Sequence, residues 1–547
     1  MKSMEKIILC FVLSYFYLCP TSSLGYPEQV QDQTASTQTE KNKPSGTRSV
    51  SKRHPGRALL ESGALITGST IDYWRTYADF QEDWQFKFTW KDQKRRFFTA
   101  ESPKFDSNAF WFNWSHAASG AAYYNLARTN GLNSRASFLF SFGLSALWEI
   151  VCEWREIIST NDMIFTSFGG PAIGEPLFQV ASYFSHRNGI LNHLASLLFD
   201  PFLPPNNWFD RKKGFAWNSN PDTSWHNFIV FLGLRKCSAS PTGQTAIAES
   251  ESHYGQFDIG LDMETNTVPG YSQVESFHRF LWNTLSSRVF LDFNFSPAGL
   301  EEFNIRTKAV LFGYTWQSIH QDENGSPYGS SGSVGFGTAF EVFRKRPVAW
   351  YDSSAEFEGQ GPALSDARFN RPTPTRYTDK IAVISPLGSV LELSRFGRQL
   401  KARWTFEAYG SFALVNALAY NRYSENHDPS GVKSTLLNWG YYYAAGMTLA
   451  SNLAADWRQW HLCGAFSYEF YDSIQGQDRY QFLGVVTDDF KIHDSRLVWR
   501  LKLGYRLPAT PFELAIASEN IGRTGRLLDL NEHYHERRVF YQLRLVF

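Results

Sequence analysis

An excess of charge is the first thing this 547-residue chain lacks. Its 53 basic side chains are matched by 53 acidic ones, so no net field recruits a polyanion, and nucleic acid is not an expected partner. Cysteine is scarce. Of five in the chain, Cys10 and Cys19 fall in the N-terminal leader, leaving Cys152, Cys237 and Cys463. Three widely spaced thiols build neither a disulfide framework nor a metal-ligand set. Long apolar runs are also missing. Downstream of the leader no stretch approaches the roughly 20 residues needed to cross a bilayer as a helix, so no transmembrane helix is expected. Any part of the chain inside a membrane must then be a closed β-barrel. Aromatic residues, by contrast, are plentiful: 18 Trp, 26 Tyr and 46 Phe make up 16% of the chain. Membrane barrels place Trp and Tyr at both lipid–water interfaces and apolar rings against the acyl chains.

Lys2 and Lys6 precede an apolar stretch from Ile7 to Leu18, and Ser23-Leu24-Gly25 offers small residues at a cleavage site. This pattern reads as a secretory signal peptide over residues 1–25. Phe16-Tyr17-Leu18 ahead of Cys19 lacks the small residues of a lipidation site. Residues 26–62 are polar with little to bury and read as a disordered linker. A mainly helical region follows over 63–205 and a barrel over 206–547. Within the helical region, Gly169-Gly170-Pro171 and Pro201 interrupt the periodicity, which predicts several short helices rather than a bundle of long ones. An alternating stretch at Trp84, Phe86, Phe88 and Trp90 reads as a possible extra strand.

From about Trp225 the apolar period changes to two. Phe257, Ile259, Leu261 and Met263 alternate with Asp258, Gly260 and Asp262, and Leu497, Trp499, Leu501 and Leu503 repeat the pattern. About 12 antiparallel strands are expected, giving a mainly β chain with a transmembrane barrel. Short links at 296–299, 455–456 and 508–510 alternate with long polar ones at 317–332, 351–376, 421–434, 471–493 and 518–536. Such alternation suits a barrel with a periplasmic and an extracellular end. The last strand carries Val539, Tyr541, Leu543, Leu545 and Phe547 on one face, and the chain stops on that Phe. This resembles the C-terminal recognition strand of outer-membrane proteins. The resemblance implies the outer membrane of a Gram-negative bacterium, with its lipids and its barrel-assembly machinery as partners.

The helical region contains Asn108-Ala109-Phe110-Trp111-Phe112-Asn113-Trp114-Ser115-His116, then Ser145-Ala146-Leu147-Trp148-Glu149, and Gly169-Gly170-Pro171-Ala172-Ile173-Gly174-Glu175-Pro176. These runs resemble an uncharacterised bacterial outer-membrane family, a domain of unknown function that pairs such a helical region with a C-terminal barrel. The resemblance implies architecture but no reaction, so any chemistry rests on the residues.

Helical spacing puts Ser145, Glu149, Glu153 and Glu156 on one face, where like charges repel unless something neutralises them. Three readings compete. In the first, these acids join His116, Asp162 and Glu175 in a hydrogen-bonded network that fixes the helices as a structural plug or periplasmic cap. In the second, Ser115 or Ser159 is the nucleophile, His116 the base and a Glu the orienting acid, acting as a hydrolase or acyltransferase on envelope lipid. A metal variant would use His116 with Glu149 and Glu153; no cofactor motif is present. In the third, the helices gate a solute pore lined by Asp258, Asp262, Asp292 and Arg500. The candidate residues are therefore Ser115, His116, Glu149, Glu153, Asp162 and Glu175.

Overall fold

The computed structural model describes residues 53–77, 88–210, 225–242, 255–297, 299–345, 379–429, 431–478 and 488–547. The expected signal peptide, most of the linker, Trp84 and Phe86 of the possible extra strand, and the 351–376 loop lie outside these residues. Thirteen strands form one antiparallel sheet. The first six are β1 (Trp225–Thr242), β2 (Gly255–Asn266), β3 (Ser276–Leu281), β4 (Ser286–Ser296), β5 (Gly299–Gln321) and β6 (Pro327–Lys345). The rest are β7 (Asp379–Phe396), β8 (Leu400–Asn416), β9 (Tyr441–Trp457), β10 (Trp460–Ser473), β11 (Ile492–Arg506), β12 (Phe512–Leu527) and β13 (Leu530–Val546). Strands β3 and β4 pair with successive halves of β5, Gly313–Ser318 and Gly299–Val310, and so form one stave. Because β1 pairs with both β2 and β13, the sheet closes into a 12-stave barrel.

Ion pairs identify the interior. Arg538 on β13 reaches Glu302 on β5, and Arg403 on β8 reaches Glu264 on β2. Staves that far apart meet only across the lumen. The alternate residues, such as Leu234 on β1, Leu462 on β10, Leu501 on β11 and Tyr541 on β13, are exposed outward. Strand alternation is thus apolar out and polar in, as a membrane barrel requires.

One end of the barrel carries Trp225, Phe547 and the connections at 322–326, 397–399, 458–459 and 507–511; it is the turn end. The other, the loop end, carries the 417–440 and 474–491 connections. Two of the expected long loops are strand hairpins instead. Residues 317–332 hold a tight turn between β5 and β6, and residues 518–536 hold a two-residue turn at Leu528-Asp529 between β12 and β13. Their polar residues alternate along paired strands and do not mark a loop. The link at 296–299 stays short but lies at the loop end.

Eight helices precede the barrel among the described residues. They are α1 (Pro55–Tyr77), α2 (Trp90–Phe98), α3 (Phe110–Thr129), α4 (Ser134–Leu147), α5 (Thr160–Gly169), α6 (Glu175–Ser185), α7 (Ile190–Phe199) and α8 (Leu203–Phe209). Helix α1 begins inside the expected linker, where its apolar residues pack: Ala58 is buried and Tyr73 meets Trp148 edge-on. Trp90 opens α2, capped by Thr89, so it is not part of a strand. A π-turn at Trp148–Cys152 extends α4, and another at Gly170–Gly174 joins α5 to α6.

These helices occupy neither the lumen nor the space beneath it. They pack on the outer wall. Phe412 and Leu414 share the outward face of β8 with the exposed Phe406, yet both are buried against Phe105, Phe110 and Phe165. Likewise Phe228, Met263 and Val289, outward residues of β1, β2 and β4, are covered by Phe178, Val180, Phe199 and Leu203. The expected plug or cap is therefore a lateral layer. It forms there because the outward residues of these strands and the inner faces of the helices are both apolar, whereas the lumen is charged.

The lumen is filled by the barrel itself. At the loop end, the 417–440 connection folds inward, with Tyr420, Val432 and Leu436 packing on Ile381, Val415 and Tyr442. At the turn end, Val268, Tyr271 and Phe277 pack on Val310, Val390 and Tyr409. Between them lie stacked ion pairs, in which Arg235 contacts Asp258, Asp292 and Glu302 at 2.8–3.0 Å.

Candidate functional site

The transverse helices alternate in direction. Helix α3, 20 residues long, starts at the loop end beside Tyr441 and ends near Thr284 at the turn end. Helix α4 returns, its Arg135 lying 5.4 Å above the ring of turn-end Trp282 and its last turn meeting the start of α5. Helices α5 and α6 then descend again. Polar side chains gather where the loop-end tips of α3, α4 and α5 converge.

Ser159 caps α5 and organises this cluster. Its backbone N–H donates to Glu149 Oε2 at 3.0 Å, and its hydroxyl accepts from the Asp162 N–H and donates to Asn161 Oδ1. Asn161 donates to Asp162 Oδ1 at 2.8 Å and to Asn113 Oδ1 at 3.3 Å, and it accepts the Asp106 N–H at 2.8 Å. Asn113 in turn donates to the hydroxyls of Tyr441 and Tyr443 on the outer wall of β9, at 2.6 and 2.8 Å. Those hydroxyls donate to the carbonyls of Asn108 and Asp106. Asp106 and Asp162 are thus joined through Asn161, which accepts from the backbone of one and donates to the carboxyl of the other. Both are almost fully buried, as is Glu149.

His116 approaches Asp162 Oδ1 at 3.4 Å through Nδ1, the same nitrogen that lies 2.9 Å from the Phe112 carbonyl. A carbonyl only accepts, so Nδ1 bears the proton and Nε2 is left as an acceptor. Arg96 braces the end of α4. Its guanidinium donates to the carbonyls of Glu149, Ile150 and Trp154, satisfying groups that the widened π-turn leaves open. π-turns recur at functional sites.

The six candidate residues divide into separate environments. Glu149, Asp162 and His116 come together. Ser115 does not join them: its hydroxyl donates to the Phe112 carbonyl of its own helix at 2.7 Å. Being adjacent on α3, Ser115 and His116 project about 100° apart. Glu153 lies beyond the helix end and accepts the Trp148 indole N–H at 2.8 Å, so the expected acidic stripe ends with the π-turn. Glu175 belongs to a second, turn-end cluster. Its carboxylate accepts from Arg128 Nε at 2.8 Å, Arg128 Nη2, Tyr124, Gln179 and Thr284. Five donors saturate its lone pairs, which makes it a helix-to-barrel fastening. The described residues hold no group of three or more His, Cys, Asp or Glu placed to bind a metal ion. Asp106, Asn113, Asn161 and the two tyrosines escape sequence reasoning because they sit on different elements. Their only local signal is amide side chains within aromatic helices and the run Tyr441-Tyr442-Tyr443.

Residues 102–202 match the family model described as a domain of unknown function (DUF3943). The match covers the cluster and most of the layer. No curated protein is similar in sequence. Solved structures that align with 59% of this chain include a loop L8 deletion mutant of OmpT from Vibrio cholerae, at 8% identity over 100% of that chain with a TM-score of 0.17. The outer membrane channel DcaP of Acinetobacter baumannii aligns over 97% of its length at 8% identity, TM-score 0.19, again with 59% of this chain. An outer membrane channel of Pseudomonas putida F1 aligns over 95% of its length at 10% identity, TM-score 0.23, with the same 59%.

Proposed function

We propose that this protein resides in the outer membrane of a Gram-negative bacterium as a barrel with a closed lumen, and that its working surface is the lateral helical layer. The observation that carries this reading is the filled interior. Apolar segments stop both ends, and Arg235, at 1% side-chain exposure, is ringed by three carboxylates between them. Solute passage would have to break that packing, so Asp258, Asp262, Asp292 and Arg500 serve as structural ion-pair partners here. Purified protein in planar bilayers is expected to be electrically silent, and to migrate differently on gels with and without boiling. Stable single-channel events in the unaltered protein would overturn the closed-lumen reading. Strand β13 would offer the assembly machinery its outward face of Tyr541 and Leu543, and Tyr541→Asp should slow insertion.

A second reading rests on one further observation, the buried Asp162 carboxyl 3.4 Å from the His116 imidazole. A carboxyl beside an imidazole has the parts of a general acid–base centre. Set in a wall that faces lipid, it would act on envelope lipid as a hydrolase, with water as the nucleophile. Release of fatty acid from outer-membrane lipid by the purified protein, abolished in Asp162→Asn with the gel shift retained, is the expected result. Equal lipid turnover in that variant would leave the cluster as a lock between helices and barrel.

A further inference from the structure

The side of the helical layer turned away from the barrel is as apolar as the wall it covers. Along α4, Leu139 is 66% exposed and Phe142 47%, and Ile150 and Val151 continue the surface past the π-turn. The segment Ser134–Cys152 is the one described helix long and apolar enough to cross a membrane, at 19 residues and mean hydropathy 1.3. This corrects the expectation of no such helix: Arg135 and Glu149 lie near its ends and break up the apolar run, but no charge lies between them. A helix in the core of a soluble protein can pass the same test, but such a helix is mostly buried; here only 22% of the window is buried.

Packing within the layer has the reverse order of an aqueous helical bundle. A Cβ on Gly120 would fall 1.7 Å from the Thr166 carbonyl oxygen, and one on Gly169 would fall 2.3 Å from that of Ala117. Ser141 donates to the carbonyls of Gly120 and Thr166 across this crossing. Small residues and hydroxyls at the helix contacts, with large apolar ones outside, are the arrangement by which helices associate in lipid. At 1.5 Å per residue the 19-residue helix is about 28 Å long, close to the roughly 30 Å of hydrocarbon in a bilayer.

We propose that the helical layer is embedded in the membrane hydrocarbon, with α4 crossing beside the barrel and lipid acyl chains covering its outer face. This rests on the outer-membrane reading above. Acyl chains are favoured over a second copy of the chain because α4 has the length and apolar exposure of a membrane-crossing helix, and the uncovered wall of the barrel, at Leu462, Leu501 and Leu514 on β10–β12, presents the same exposed apolar side chains.

The test uses the full chain with all five native cysteines, Cys10, Cys19, Cys152, Cys237 and Cys463, replaced by Ala, carrying a single Cys at Leu139, Phe142 or, as a barrel control, Leu501. Each variant is labelled with bimane and reconstituted into phosphatidylcholine vesicles with or without brominated acyl chains, after its gel shift has been verified. Emission at Leu139 and Phe142 is expected to fall about twofold in brominated lipid, as at Leu501, because both depths lie within the hydrocarbon. Quenching at Leu501 alone, with the two helix sites reacting with an impermeant maleimide, would place the layer in water and overturn the inference while the barrel reading stands. Quenching at Leu501 alone, with the helix sites cross-linking between copies, would assign the surface to a second subunit and also overturn it. No quenching at any site would sink both readings.

Discussion

The two faces of the barrel wall bury their contents by opposite means. Inside, the chain fills the lumen with charge: Arg235, Arg538, Lys345, Glu302 and Glu536 form a continuous buried network. Outside, the helical layer is held by apolar contact, glycine-mediated approach and a few polar clusters at its two ends. Buried ion pairs of this kind do not gain much over apolar packing, but they are expensive to disrupt because the remaining partner is stranded. Glycine crossings fail for a different reason, since a methyl group has nowhere to go. The lumen should therefore respond to loss of charge and the layer to gain of volume.

The largest effect is expected at the lumen's centre. Arg538→Met leaves Glu302 with Arg235 and Glu536 with Lys345 as their remaining cations, removes four hydrogen bonds of 2.8–3.3 Å, and should destabilise the barrel by about 3 kcal/mol. Urea-dependent loss of the gel shift measures this. Arg403→Met, whose partner Glu264 is partly exposed, should cost no more than about 1 kcal/mol in the same assay. Equal losses at the two positions would mean that burial does not set the lumen's energetics.

Next comes Gly120→Ala, which should cost about 1–3 kcal/mol through forced separation of α3 from α5. Limited proteolysis should then cut the helical layer while the boiled and unboiled bands of the barrel remain distinct. If the barrel is lost together with the layer, the two faces fold as one unit and the contrast drawn here fails.

A smaller effect concerns Asp200, at the junction of α7 and α8, whose Oδ1 accepts the Phe202 N–H at 3.0 Å. Asp200→Ala loses that bond and should cost about 1 kcal/mol, read as faster amide exchange of α8. The smallest effect belongs to Asp162→Asn. An amide oxygen can accept from Asn161 as the Asp162 carboxyl oxygen does, so stability should change by less than about 1 kcal/mol. A larger loss would mean that the carboxyl fastens the layer through charge.

Much of the barrel was legible in the sequence because a strand's environment is written at a period of two. Phe257–Met263 and Leu497–Leu503 declare one apolar and one polar face without reference to any neighbour. Strand ends were less legible: polar residues at 317–332 and 518–536 read as loops, yet they alternate on paired strands, and pairing is a property of two segments. The helical region gave its helices through spacing, but not their length. The π-turns at Trp148–Cys152 and Gly170–Gly174 carry helices across what composition marks as breaks. Of the candidate site, the acids and His116 could be named singly, while the bond from the Asp106 N–H to Asn161 joins a loop to the start of a helix and has no local signature.

Composition and periodicity alone thus determined a closed β-barrel of about 12 strands behind a helical region, because alternation and apolar content are local properties of the chain. Only tertiary structure decided which side of the wall the helices cover. An amphipathic helix specifies that it needs an apolar partner, not which one. The outward residues of β1, β2 and β4–β9 could offer that partner, whereas the charged lumen had already satisfied itself.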